Sequence, residues 1–159
     1  MSHLILMLAM TCTPTTICEE LRGFRRFPVD RMVTCEKVVE VAEIWNIDPA
    51  LLVAVAYHES RMNKDAVSRA GAVGPLQILP KWFCGSQACD YAYVGGRAYT
   101  KWRNRVKRKR KKLIDFWTLA HYNGGNRPGS RSFRYAKTVL KTRDILKRRL
   151  DRACDVPGC

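Results

Sequence analysis

The sequence predicts a mainly α-helical domain with one small β-hairpin or irregular β segment around residues 68–80. Apolar residues recur at spacings of three and four along several stretches, the period of one helix face. The stretch Ser68-Arg69-Ala70-Gly71-Ala72-Val73-Gly74-Pro75 breaks that period with two glycines and a proline, and the short alternating run Leu76-Gln77-Ile78-Leu79-Pro80 follows it. A length of 159 residues, 47% of them hydrophobic, suits one domain with a real core and argues against disorder.

The amino-terminal apolar run at residues 4–10, LILMLAM, is too short to span a bilayer. No Lys or Arg precedes it and no A-x-A site follows, so it is a poor secretory signal. It reads as a degenerate leader or as an anchor packing on the domain or a partner. Residues 11–16 look like a polar, turn-like spacer, and residues 23–31 like an irregular entry segment with Phe24 and Phe27 as core contacts.

Helical periodicity begins at Thr34, a capping residue, with Val38 (or Lys37), Val41 and Trp45 on one face. Asn46-Ile47 breaks the pattern, and Asp48 with Pro49 supplies an N-cap followed by a first-turn proline. The stripe Leu52, Val55, Ala56 then leads to Glu59, four residues after Val55. Two antiparallel helices joined by a short turn follow from this. Desolvation against the stripe and the negative end of the helix dipole both raise the pKa of a carboxyl placed there. A carboxyl that holds its proton near neutral pH is suited to general acid work. An ordinary solvent-exposed helix-end glutamate satisfies the position equally well, and the residues that follow must decide. Gln77, the one polar side chain in its run, is either the outward face of a strand or a hydrogen-bonding group for a polar ligand beside the acid.

Those residues carry a resemblance. Glu59-Ser60, residues 66–72 (AVSRAGA) and residues 74–80 (GPLQILP) are similar to the signature of the soluble lytic transglycosylase domain, a member of the lysozyme-like superfamily close in fold to goose-type lysozyme. Leu119-Ala120-His121-Tyr122-Asn123-Gly124-Gly125 resembles that family's alanine-tyrosine-asparagine-x-glycine block, and Tyr135 with Val139-Leu140 resembles its tyrosine-containing helix. The blocks occur in the family's order. The expected organisation is a lysozyme-like helical domain over residues 34–152, preceded by the segment 1–33, a leader or anchor, and followed by a cysteine loop at 153–159. The resemblance implies peptidoglycan as substrate, Glu59 as acid and base, and Ser68, Gln77, Tyr122, Asn123 and Tyr135 as substrate-binding positions. It implies no cofactor and no metal. His121 and Leu79 depart from the family's usual alanine and methionine; the second change conserves volume.

No Asp or Glu lies between Asp65 and Asp90. Most glycosidases pair their acid with a second carboxylate. A lone glutamate has to work with help from the substrate, which the family's lytic chemistry provides. Asp65 and Asp90 stay open as second carboxylates for a hydrolytic, muramidase-type alternative.

A net charge of +15 implies an anionic partner: nucleic acid, an acidic membrane or a bacterial wall. Nine of the 29 cationic residues fall within residues 101–112, KWRNRVKRKRKK. Trp102 and Val106 can anchor that run as a helix whose cations form a foot on an anionic wall or membrane. A basic nucleic-acid-binding module is the non-enzymatic rival, although the sequence carries no zinc-finger, helix-turn-helix or RNP-type motif. The aromatics Trp82, Phe83, Tyr91, Tyr93 and Tyr99 are core residues or sugar-stacking faces.

Seven cysteines indicate an oxidising, extracytoplasmic destination. Cys84 with Cys89 and Cys154 with Cys159 suit local disulfides; a zinc site built from both pairs is the rival. The basic run and the cysteine loops lie outside the family signature and suggest a wall-penetrating component of a bacteriophage virion or secretion machine. From Leu113 to His121 the chain is apolar enough for a buried helix ending at the Tyr122–Gly125 turn. Tyr135, Val139, Thr142, Leu146 and Leu150 give the last helix its stripe. His58 adjoins Glu59, but helix neighbours point about 100° apart, so the two form no dyad.

Overall fold

The computed structural model describes residues 14–24, 27–85, 88–109 and 112–154. The run at 4–10, Cys12 and the pairing of Cys154 with Cys159 lie outside them. Among the described residues the chain forms α1 (Pro14–Arg22), a 3-10 turn (Val29–Arg31), α2 (Met32–Ile44), α3 (Pro49–Ser60), α4 (Pro80–Phe83), α5 (Tyr91–Lys109), α6 (Ile114–Gly124) and α7 (Ser130–Cys154). The mainly helical, lysozyme-like expectation holds.

α3 is the hub. The expected single stripe is too narrow: every residue from Ala50 to Tyr57 is buried. A helix that is apolar on all faces belongs inside, and α3 packs against α2, α7 and α1. Its start is as expected, with an Asp48 side-chain oxygen accepting from the Ala50 amide at 3.0 Å and Pro49 in the first turn. Its end is unusual. Arg61 and Met62 both take left-handed backbone, at φ 56° and 62°. Each such residue costs about 1–2 kcal/mol. Met62 offsets this by burying its side chain completely. The Arg31 guanidinium adds to the cap, with Nη1 donating to the carbonyls of Ser60 at 3.2 Å and Arg61 at 2.9 Å.

Two N-terminal expectations change. Residues 14–16, read as a polar spacer, are the first turn of α1, where proline is tolerated and from which Ile17 and Leu21 reach the core at helical spacing. Thr34 does not cap α2, which starts at Met32 directly from the 3-10 turn. A Cys18–Cys35 disulfide joins α1 to α2, and Cys84–Cys89 forms as expected.

Between α3 and α4 the chain forms a β excursion reduced to single bridges, Val67 with Val73 and Val73 with Ile78. Val73 and Ile78 exchange both backbone bonds, at 2.8 and 3.1 Å. The run containing Gln77 is the loop between them, and Gln77 itself is left-handed at φ 49°. It is therefore a turn residue and not the outward face of a strand. Gly74, at φ 76°, opens this loop against the Tyr91 side chain. Leu76 at the tip is fully buried against α5, where a Cβ on Gly95 would collide with it. A Cβ on the next residue, Gly96, would stand 2.5 Å from Trp45 and 2.6 Å from Val41. The Gly95-Gly96 pair thus presses α5 onto both the loop and α2.

α6 runs through Tyr122 and Asn123 to Gly124, further than expected, and Gly125 at φ 65° makes the turn. α7 packs on α6 and α3, with Ala136, Val139, Thr142 and Leu146 buried. Tyr135 and Leu150 are partly buried on the same stripe.

Candidate active site

Glu59 sits in the last turn of α3, partly buried. The Tyr135 hydroxyl, carried across from α7, donates to its Oε1 at 2.6 Å. Burial raises the Glu59 pKa, and the Tyr135 hydrogen bond partly opposes the rise. The Tyr135 hydroxyl is itself pushed far up, first by burial and then by the Glu59 charge, so it remains a donor. Next to the acid, His58 turns the other way. Its Nε2 shares a 2.7 Å hydrogen bond with Thr142 Oγ1, and burial, then the Arg61 charge, lowers its pKa to about 4.

The loop facing this helix end is held by side chains. Ser60 Oγ donates to the Pro75 carbonyl at 2.9 Å and accepts from the Asn63 amide at 3.0 Å. Tyr122, on α6, donates from its hydroxyl to the Leu76 carbonyl at 2.6 Å. Burial and the Glu59 charge both raise its pKa, so the tyrosine lies within electrostatic reach of the acid. Tyr99 completes the cluster. Its ring lies 6.1 Å from that of Tyr122, and its buried hydroxyl has no hydrogen-bond partner among the described residues.

The predicted polar residues divide. Gln77 Nε2 donates to the carbonyls of Ala66 at 3.2 Å and Gly74 at 3.0 Å, so its amide nitrogen fixes the loop while the residue also lines the groove. Ser68 is occupied with its own turn: its Oγ accepts from the Ala72 amide at 3.0 Å. Asn123 is exposed and lines the groove. The structure therefore brings Glu59 and Tyr135 into direct contact, sets Tyr122 nearby, and leaves Ser68 as a turn residue.

The groove has a volume of about 760 Å³ and runs from Gln77 and Tyr122 along α4 and α5. That is a size suited to a ligand. Trp82, 68% exposed, and Phe83 form one side of it. Trp102 forms another, its ring stacked on His121 at 5.4 Å and 11°. His121 Nδ1 lies 2.8 Å from the Gly125 carbonyl and must donate there, since a carbonyl only accepts. The departure from alanine at this position thus supports both the turn and Trp102. Tyr99, by contrast, is wholly core.

The open second carboxylates are engaged elsewhere. Asp90 Oδ1 accepts from the Ala92 and Tyr93 amides, each at 3.0 Å, and so caps α5. Asp65 is exposed and pairs with Lys64 at 2.8 Å. No group of three or more His, Cys, Asp or Glu among the described residues has the arrangement of a metal site.

Sequence reasoning missed the groove wall on α5, where Lys101, Arg105 and Arg108 stand. Their spacings of four and three place them on one helix face, a signal the run's overall charge hid. It also missed Arg31, and it gave Ser60 no role beyond its place in the Glu59-Ser60 block, since bonds from a side chain to distant backbone leave no mark in a linear pattern.

Residues 37–86 match the family model of the transglycosylase SLT domain, which bears out the resemblance over that segment. The blocks at 119–125 and 135–140 lie beyond the matched residues. No curated protein and no solved structure matches the chain.

Proposed function

We propose, from the transglycosylase SLT domain matched at residues 37–86, that this chain is a peptidoglycan lytic transglycosylase acting outside the cytoplasm. One observation carries the reading: a partly buried carboxyl, Glu59, with a raised pKa and a tyrosine hydroxyl fixed on its oxygen. As the family chemistry implies, protonated Glu59 gives its proton to the glycosidic oxygen between N-acetylmuramic acid and N-acetylglucosamine. The C1–O bond breaks, and the substrate's acetamido oxygen stabilises the electron-poor C1. Ionised Glu59 then takes the proton of the muramoyl C6 hydroxyl as that oxygen bonds to C1. The product is a 1,6-anhydro ring, no water is consumed, and Glu59 is again protonated.

Each structural feature has a part in this scheme. Burial raises the Glu59 pKa and so favours the protonated acid that the first step needs. The Tyr135 hydrogen bond orients the carboxyl and stabilises the carboxylate formed midway. Tyr122, Gln77 and Asn123 border the groove that takes the sugar chain, and Ser68 shapes the loop beside it. The basic helix and the disulfides fit a protein that works in or crosses the wall, as a virion or secretion component would.

Digestion of purified sacculi followed by mass spectrometry tests the proposal. Anhydro-muramoyl products that vanish in Glu59→Gln are expected. Reducing ends without anhydro sugars would assign a muramidase instead, and binding without turnover would leave only a basic wall- or nucleic-acid-binding module.

A further inference from the structure

The groove carries charge that the proposed reaction does not use. Lys101, Arg105 and Arg108 line it from one face of α5, and Tyr122 lines it from α6. Among the described residues no Asp or Glu lines the groove, and none of these three cations pairs with a carboxylate. Arg105 is held in place: Nη1 donates to Asn126 Oδ1 at 2.6 Å, and the guanidinium lies 5.3 Å from the centre of the Trp102 ring. Three unneutralised cations on one face repel one another, and an anionic ligand relieves that repulsion. A neutral pyranose chain offers no such relief.

This step rests on the proposed substrate. In peptidoglycan the muramic acid next to the scissile bond bears, through its lactyl ether, a short peptide with free carboxylates. The anionic part of the substrate is therefore covalently held beside the reacting bond, and the cationic wall lines the same groove as Gln77 and Tyr122. Lengths agree as well. Seven residues of helix span about 10 Å, which an extended peptide covers in roughly three residues. We propose that Lys101, Arg105 and Arg108 bind the stem-peptide carboxylates and make the chain selective for peptide-bearing strands over stripped ones. A concave groove of ligand size with aromatic walls at Trp82, Phe83 and Trp102 favours this over a phosphate backbone tracking a flat surface.

The test compares kcat/KM on purified glycan strands with that on the same strands stripped of peptides by an amidase. Wild type is expected to favour peptide-bearing strands by roughly tenfold or more. In Lys101→Gln/Arg105→Gln/Arg108→Gln that ratio falls toward one. A second variant, Lys101→Gln/Arg108→Gln, retains the Arg105–Asn126 bond and should show an intermediate ratio with an unchanged melting temperature. Calorimetric titration of wild type with a soluble muramoyl tripeptide and with its carboxamide analogue supplies a readout free of turnover. The acid form should bind roughly tenfold tighter, and the double variant should lose part of that preference. An unchanged ratio in both variants, or equal binding of acid and amide, overturns the assignment. So does tighter, cation-dependent binding of a duplex oligonucleotide. If wild type cleaves neither strand while the acid preference persists, the transglycosylase reading fails and the groove assignment stands.

Discussion

The Tyr135 hydroxyl and the Glu59 carboxyl meet at 2.6 Å across 76 positions of sequence, with the tyrosine donating. Two opposed influences act on that acid: burial raises its pKa, and the Tyr135 bond lowers it by a smaller amount. Removing the bond in Tyr135→Phe leaves burial unopposed, so the Glu59 pKa should rise further. The proposed reaction needs the protonated acid, so the basic limb of the kcat/KM profile should move to higher pH. At the same time kcat should fall by about tenfold, because the carboxyl loses its orienting partner and its carboxylate loses a donor. A pH–rate series on both proteins checks this. A basic limb that stays in place would remove Tyr135 from any action on the acid.

Glu59→Gln separates catalysis from stability. Activity should drop by about 10²–10⁴-fold, the range for losing a general acid. Stability should move the other way. Because the folded-state pKa is raised above its ordinary 4.5, the acid's contribution is fully present below that value and is lost as pH rises through the folded pKa. The neutral amide has no such loss. Urea unfolding should therefore show Glu59→Gln more stable than wild type at pH 7, with the gap closing by pH 4. Equal stabilities at both pH values would mean the carboxyl is solvated.

How much of this was legible in the sequence follows from where each constraint is written. Asp48-Pro49 and the apolar residues after it fix the start of α3 locally, and the carboxyl at its end is visible in the same register. The Gly71–Pro75 punctuation marks a turn wherever it falls. Enclosure of α3 is another matter: whether Ala54 or Val53 is buried depends on helices elsewhere in the chain, and a stripe of three residues understates it. The strand alternative for Gln77 arose because alternation over five residues looks the same in a strand and in a loop whose apolar tip, Leu76, is buried against Gly95. The groove wall was hidden for a similar reason. A cluster of nine cations reads as a surface, and only the fold selects the three that line the groove.

The Cys18–Cys35 bridge should carry much of the attachment of α1. It closes a loop with a sequence separation of 17, for which a disulfide contributes about 3 kcal/mol. Without it, Ile17, Leu21 and the 2.9 Å bond from Arg149 Nη1 to the Glu20 carbonyl remain. Cys18→Ala/Cys35→Ala should lower the melting temperature, and amide exchange should accelerate in α1 before α3. Calorimetry with exchange mass spectrometry reads both effects. An α1 exchanging as slowly as in wild type would show that its packing suffices alone.

His58 and Glu59 are sequence neighbours with opposite pH dependence, which makes the pair testable by difference. Burial, followed by the Arg61 charge, lowers the His58 pKa from 6.5 to about 4. The folded state thus binds fewer protons than the unfolded chain between those values. The contribution is present above pH 6.5 and is lost as pH falls toward 4. Glu59 acts in the opposite sense over the part of this window above 4.5, so wild type should show a muted acid response. His58→Gln can keep a hydrogen bond to Thr142 Oγ1 and removes the titration. Its stability should therefore increase on acidification from pH 6.5 to 4.5, driven by Glu59 alone, while Glu59→Gln should lose stability over the same range, driven by His58 alone. Urea midpoints at the two pH values measure both slopes. Slopes of the same sign in the two variants would contradict the opposed burial effects on which the carboxyl's role as an acid depends.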